Sequence, residues 1–497
     1  LLFVLNGVAR ADTHVYVIAI GNNAPPSDGD GDLAVLHYAD DDAAAFYTFT
    51  RDLAVHATLL TVLDTESQRR YASLAEIARP PTLSELRNVV RWHRTRFEED
   101  RRAGHDPVLL FFYSGHGSRA EGKPPSLALL DGALTQAVLY EEILAALPAR
   151  YVHLIVDACH AEAIVRPRDA QAETVDLSRD EREAFAERST LARFPHVGAI
   201  IAAASAAQAH EWDVYQMGVF SHELLSGLRG AADVNGDHRI EYSELSAFLT
   251  AANREVSDPR ARLAIVVHPP AVNRRAPLVD LSLLTSSVKL VGAAAGLGAF
   301  YVEDAQATRL ADVRAEPGWK LELNLPPGTL YLHSRDGEAE LHTKPGARVA
   351  IDQVKLASPS MTARGSMDAA LRRGLFAEPF GPTYYRGFVD RNDELVAVPF
   401  AAPPSDTIAP RPVNLRLRAG ITLGAAAGLT VAAAVLAGLT LSAYDDFNQT
   451  QLQREATRDR ERYVSFEAAS IGVALGAGIV TGVGTWLTIK ATRKQLR

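Results

Sequence analysis

Residues 108–118, VLLFFYSGHGS, and residues 151–160, YVHLIVDACH, decide how this chain folds. Each is a continuous apolar run that stops abruptly at small and reactive residues. Runs of this length, closed by turn-forming residues and lacking polar alternation, predict strands buried on both faces, as in a parallel sheet. Ligands of open α/β sheets sit just beyond the carboxyl ends of such strands. The first run delivers His116 to that edge, between Gly115 and Gly117. The second delivers Cys159, the sole cysteine among 497 residues. A thiol and an imidazole on neighbouring strand ends form a nucleophile–base pair.

Outward from these two runs, strands and helices alternate. Residues 14–23 (HVYVIAIGNN) predict a strand ending in a Gly-Asn-Asn turn, and residues 56–64, 197–204 and 263–267 predict further strands. Residues 38–53 suit a helix whose acidic first turn complements its dipole. Residues 82–102 follow Pro80-Pro81 as an amphipathic helix, with shorter helices expected near 140–147 and 218–228. The alternation predicts an α/β domain over residues 12–270, a mostly parallel sheet with helices on both faces. Residues 161–195 break the pattern. Arg166, Arg168, Arg179, Arg182, Arg188 and Arg193 lie there among acids with little apolar periodicity, so the segment reads as a surface insertion or linker.

Two acidic segments invite a metal reading. Asp28, Asp30 and Asp32 alternate with Gly, but no bidentate Glu follows at the required position, so a flexible acidic loop is expected. Residues 233–244, DVNGDHRIEYSE, set Asp233, Asn235, Asp237, Glu241 and Glu244 at positions 1, 3, 5, 9 and 12 of an EF-hand loop, with Ile240 at the apolar eighth. His238 occupies the position where the sharp turn normally demands Gly. The segment reads as a weak Ca²⁺ site, with Asp233, Asn235, Asp237 and Glu244 as ligands, or as the vestige of one.

Residues 259–285 are Pro-rich and read as a domain exit. Residues 286–400 change character to short alternating segments punctuated by Gly and Pro, which predict a small β-rich domain serving packing or binding. Residues 401–418 form a linker. Residues 419–441 and 468–489 are uncharged, rich in Gly and Ala, and long enough to cross a bilayer, flanking a polar loop at 442–467 and followed by a basic tail at 490–497. Residues 1–11, LLFVLNGVARA, resemble the end of a secretory signal, with Ala9-Arg10-Ala11 as a small-x-small cleavage site. Basic residues on the outer flanks of both spans favour a cytoplasmic location for those flanks, whereas an export signal would carry the N-terminal domain outside. The signal reading is preferred: a protein anchored in the cell envelope with its catalytic domain extracytoplasmic.

A net charge of −9 argues against a nucleic-acid partner, and one cysteine excludes both an intrachain disulfide and a multi-cysteine metal site. The thiol and imidazole at the two strand ends point instead to a cysteine peptidase acting on protein or peptide substrates, with no cofactor required. Cys159 is only slightly ionised at neutral pH unless a neighbouring imidazole stabilises its thiolate. Attack on a peptide carbonyl makes a tetrahedral oxyanion that needs fixed donors, for which the backbone N–H groups of Gly117 and Cys159 are the candidates.

These residues resemble the caspase-like cysteine peptidases, including metacaspases. The resemblance is carried by FFYSGHG, by VDACH with its Cys 43 positions after the His (159 − 116), and by VIAIGNN followed by LHYADDDA. It covers about half the chain and implies a caspase-hemoglobinase fold, a His116–Cys159 catalytic dyad and an oxyanion hole at Gly117 and Cys159. Asp-cutting caspases use arginines in the pocket, whereas Asp157 matches the metacaspase acid two residues before the nucleophile. Its implied partner on the first helix is Asp42, making an acidic pocket for a P1 Arg or Lys. His160-Ala161-Glu162 departs from the His-Ser-Gly usual after the nucleophile. The alternative is an inactive or weakly active caspase-fold scaffold tethered to the envelope.

Overall fold

The computed structural model describes residues 12–26, 33–118, 124–159, 161, 190–203, 211–257, 263–293, 297–356, 371, 374–392 and 395–400. The expected signal remnant, the two expected spans with their linker, loop and tail, Asp28–Asp32 and most of the Arg-bearing segment lie outside the described residues. Among the described residues no helix is long and apolar enough to cross a membrane.

The chain opens with strand β1 (Thr13–Asn22), helix α1 (Ala39–Thr50), strand β2 (His56–Thr61), a short helix α2 (Thr65–Arg70) and the long helix α3 (Leu83–Ala103). Thr82 caps α3 by accepting the Glu85 N–H, and Gly104 at φ 90° ends it in the left-handed region. Then follow β3 (Asp106–Gly115) and a small antiparallel sheet of β4 (Gly117–Ser118), β5 (Ser126–Leu129) and β6 (Gly132–Thr135). β7 (Tyr151–Asp157) and β8 (Val197–Ala203) come next. The helix expected near residues 140–147 is present as a π-helix over Val138–Leu144.

After β8 come a hairpin, β9 (Glu211–Trp212) and β10 (Met217–Gly218), and helix α4 (Val219–Ser226). Strand β11 (Arg239–Glu241), helix α5 (Tyr242–Asn253), β12 (Ala264–His268) and β13 (Pro277–Asp280) complete this part. The main sheet has the order β12-β8-β7-β3-β1-β2. Four of its five pairings are parallel, and at one edge β12 runs antiparallel to β8.

The strands carry a core on each face, which is why their sequences show no polar alternation. Val17, Leu110, Phe112 and Ile155 face α1, where Phe112 stacks on Phe46 with ring centres 4.4 Å apart. Ile18, Phe111, Leu154 and Val156 face α3 through Leu86, Val90 and Phe97. The end of the expected surface insertion differs from that expectation: Leu191 is buried in this second core, with Phe194 packed against it.

Residues 286–400 are β-rich as expected. Strands β14 (Val288–Ala293), β15 (Ala299–Asp304), β16 (Arg309–Arg314), β17 (Lys320–Leu325), β18 (Thr329–Ser334), β19 (Gly337–His342) and β20 (Arg348–Ala350) form two sheets, β17-β14-β20 and β16-β15-β18-β19. Helix α6 (Pro382–Val389) follows. The expected domain exit instead supplies β13, which pairs with β11. Leu290, Val302, Leu310 and Leu323 belong to the same continuous core as α1, α4 and α5, and the described residues form one compact unit. The β-rich region is packed onto the helical layer above the sheet.

Candidate active site

Ser114 and Asp157 are register partners at the carboxyl ends of adjacent parallel strands β3 and β7. His116 lies one residue beyond β3 and Cys159 two beyond β7, and both are buried. Their segments touch: a Cβ on Gly117 would meet the Cys159 carbonyl oxygen at 1.9 Å, so only Gly allows this approach. Below the turn, the buried Tyr113 hydroxyl lies 3.0 Å from the carbonyl oxygen of His116 and 2.8 Å from that of Ala128. The Ala128 N–H donates to His116 O at 2.9 Å, which fixes the β4–β5 register. Antiparallel alternation then turns the Gly117 N–H away from β5, leaving it outside the ladder.

The tautomer of His116 follows from its partner. Nε2 lies 3.0 Å from the carbonyl oxygen of Ala34, which can only accept. The proton is therefore on Nε2, and Nδ1 keeps its lone pair as a base. Burial lowers the pKa of this imidazole, opposed by the Ala34 bond, so the ring is neutral at pH 7.

Beside Cys159 is a narrow cleft with Asp42, Asp157 and Glu211 in its wall. Asp42 Oδ2 accepts from Ser114 Oγ at 2.7 Å and Oδ1 from the Gly218 N–H at 2.8 Å. Asp157 Oδ2 accepts from Ser221 Oγ at 2.8 Å. A Cβ on Gly218 would stand 2.8 Å from Asp42 Oδ2 and 2.9 Å from Asp157 Oδ2, so both carboxylates converge there. Burial, then the Asp157 charge, holds Asp42 well above the usual carboxylate range; burial pushes Asp157 up to about 6. Glu211, also raised by burial, accepts the N–H groups of His37 and Tyr38 at the start of α1.

Glu211 has no counterpart in the sequence reading. It sits on a two-residue strand without periodicity, and the available signal was its position in the loop after a parallel strand. Ser114, Gly218 and Ser221, which hold the two expected pocket acids, were equally unmarked. Ala161, where Ser is usual, is buried and its N–H donates to Ala158 O. His160 and Glu162 lie outside the described residues.

The loop at residues 233–244 keeps the expected turn despite its missing glycine, because His238 itself adopts φ 65°. Asp233 accepts the N–H groups of Gly236 and His238, while Glu244 accepts those of Val234 and Glu241. Asn235 and Asp237 bond each other. Among the described residues no three His, Cys, Asp or Glu side chains converge as metal ligands. Burial pushes Asp233 up to about 6 and Glu244 up to about 9, so a cation entering at neutral pH would have to displace the Glu244 proton. The four expected ligands thus fit calcium incompletely.

The six-stranded, mostly parallel sheet thus carries Cys159 and His116 just beyond the ends of adjacent strands, a placement suited to thiol chemistry. Residues 15–284, more than half of the chain, match the Peptidase_C14 caspase-domain model, and the chain belongs to that family of cysteine peptidases. Comparison with curated proteins gives no match.

Proposed function

We propose that this protein is a caspase-like cysteine endopeptidase that cuts after Arg or Lys. The observation carrying this reading is the cleft shared by Cys159 with Asp42, Asp157 and Glu211. Among the described residues lining it there is no Lys or Arg. Three carboxylates without a cation favour a guanidinium or ammonium side chain, which gains charge-assisted hydrogen bonds there. The same charges repel a P1 Asp.

In this reading His116 Nδ1 takes the Cys159 proton while Nε2–H stays on Ala34. The thiolate attacks the scissile carbonyl carbon and forms a C–S bond, and the negative charge moves to the carbonyl oxygen. The N–H groups of Gly117 and Cys159 are the donors for that oxygen. Collapse breaks the C–N bond, and the leaving amine takes the proton from His116. Water, deprotonated by His116, then hydrolyses the thioester. No step requires a metal or cofactor; calcium enters the proposal only as a weakly bound ion at residues 233–244.

The proposal includes tethering to the cell envelope through residues 419–441 and 468–489, with the catalytic domain outside the cytoplasm. Its support is the length, apolarity and flanking aromatic residues of those segments. Resistance to alkaline extraction, with protease accessibility from the outer face, tests it.

Fluorogenic peptides differing only at P1 test the chemistry. Turnover with Arg or Lys, none with Asp, and none by Cys159→Ala is the expected pattern. Cleavage after Asp would overturn the specificity. Absence of turnover on all three would favour the inactive scaffold, to which the Ala161-Glu162 departure points.

A further inference from the structure

Helix α4 joins two parts of the fold through adjacent residues. At its start it holds the pocket acids, by the Gly218 N–H on Asp42 and the Ser221 hydroxyl on Asp157. The next residue, His222, is wholly buried, and its Nε2 lies 2.7 Å from Asp312 Oδ2 on β16 of the β-rich region. The carboxylate only accepts, so Nε2 carries the proton.

Asp312 is itself held. Arg309 bonds both its oxygens, Nε to Oδ2 at 2.6 Å and a terminal nitrogen to Oδ1 at 2.5 Å. The Asp312 N–H donates to Ser226 Oγ at 3.1 Å, in the last turn of α4. The Arg309 guanidinium lies 3.6 Å from the ring centre of Tyr301 and 5.0 Å from that of Tyr215. Tyr215, in the turn of the β9–β10 hairpin that carries Glu211, stacks on His222 with ring centres 3.9 Å apart. One ion pair of the β-rich region therefore contacts both the helix and the hairpin that carry the pocket acids or their donors.

Buried ion pairs add little net stability, because desolvation offsets their attraction. Bidentate Arg–carboxylate geometry does fix orientation. We propose that Asp312, held by Arg309, is a positioning residue for the specificity pocket: through His222 it sets the start of α4, and with it the placement of the Asp42 and Asp157 carboxylates. The inference rests on the reading of that pocket as the site of a basic P1 side chain. It assigns the β-rich region a part in substrate selection.

The test compares wild type with Asp312→Asn, Arg309→Lys, His222→Ala and His222→Gln in the full chain. Turnover on P1-Arg and P1-Lys peptides is expressed per Cys159 thiol titrated with iodoacetamide. The first three variants are expected to raise KM for P1 Arg about tenfold, to keep kcat within about threefold, and to shift the Arg-to-Lys preference. His222→Gln keeps an N–H donor toward Asp312 and should recover most of the wild-type KM. A merely structural role would lower the fraction of titratable enzyme, with KM and preference per thiol unchanged, and that result overturns the inference. Should Asp312→Asn yield no titratable thiol, Arg309→Lys, which keeps the charge but loses the fork, decides by the same readout. If wild type cleaves after neither Arg nor Lys, the pocket reading itself fails and the inference falls with it.

Discussion

A Cβ built on Gly117 would lie 1.9 Å from the carbonyl oxygen of Cys159, so the chain after β3 and the turn after β7 meet backbone to backbone. Gly117→Ala must push these segments apart. The expected result is a loss of kcat of about 100-fold, the scale seen when one oxyanion donor is removed. KM for P1 Arg should stay within a few fold, because the pocket acids lie on other elements. Wild-type kcat in this variant would exclude Gly117 from the site.

Substrate binding should depend on pH through the acid pair. Asp157 is pushed up to about 6, so it is largely neutral at pH 5 and ionised at pH 7.5. KM for a P1-Arg peptide is expected to fall as pH rises through about 6 and then level off. Asp157→Asn should flatten that fall while weakening binding throughout. A KM that is flat from pH 5 to 7.5 in wild type would count against a pocket of this charge.

Asp42 should favour function at the expense of stability. Its folded pKa lies above the unfolded value, owing to burial and the neighbouring Asp157. A group raised in this way contributes stability that is fully present below its unfolded pKa, near 4, and is lost as pH rises through the folded value. Asp42→Asn does not titrate, so it should match wild type at pH 3.5 and be more stable by about 1 kcal/mol at pH 8. The same variant should lose most cleavage after Arg. Denaturant melts at the two pH values check the sign, and a variant less stable at pH 8 than at pH 3.5, relative to wild type, contradicts it.

Calcium should matter little. With Glu244 pushed up to about 9 and its oxygens engaged by backbone N–H groups, binding at pH 7 must release a proton and compete with the capping box. Addition of 1 mM Ca²⁺ at pH 7, roughly the range of weak extracellular sites, should leave turnover within about twofold. Calorimetric titration at pH 7 and 9 should detect tighter binding at the higher pH. Loss of all activity in chelator would overturn this expectation.

What could be read from sequence was whatever is encoded locally. Runs such as VLLFFY and YVHLIV are apolar without alternation because both faces of the sheet are covered, so the strands and the two residues at their ends were legible. The edge strand β12 was legible as a strand but its antiparallel direction was not, because its apolar residues carry no mark of direction. Asp42 and Asp157 were legible through family resemblance. Glu211, Ser114 and Ser221 were not, since a short hairpin and a strand-end serine leave no periodic signal. The contact of Asp312 with His222 spans 90 positions and depends on tertiary packing alone.

The core shared by the sheet's helical layer and the β-rich strands has a practical consequence. Ancestry and autonomy end at different places in this chain: family likeness stops at residue 284, whereas the compact unit runs on through the described residues beyond it. A fragment trimmed to the inherited portion would strip Leu224, Leu228 and Phe248 of the part of their shared core that lies beyond residue 284, Phe376 and Phe380 against Phe248 included, leaving a sticky surface prone to aggregation. What lineage marks as an accessory is, for folding, the second half of the same body.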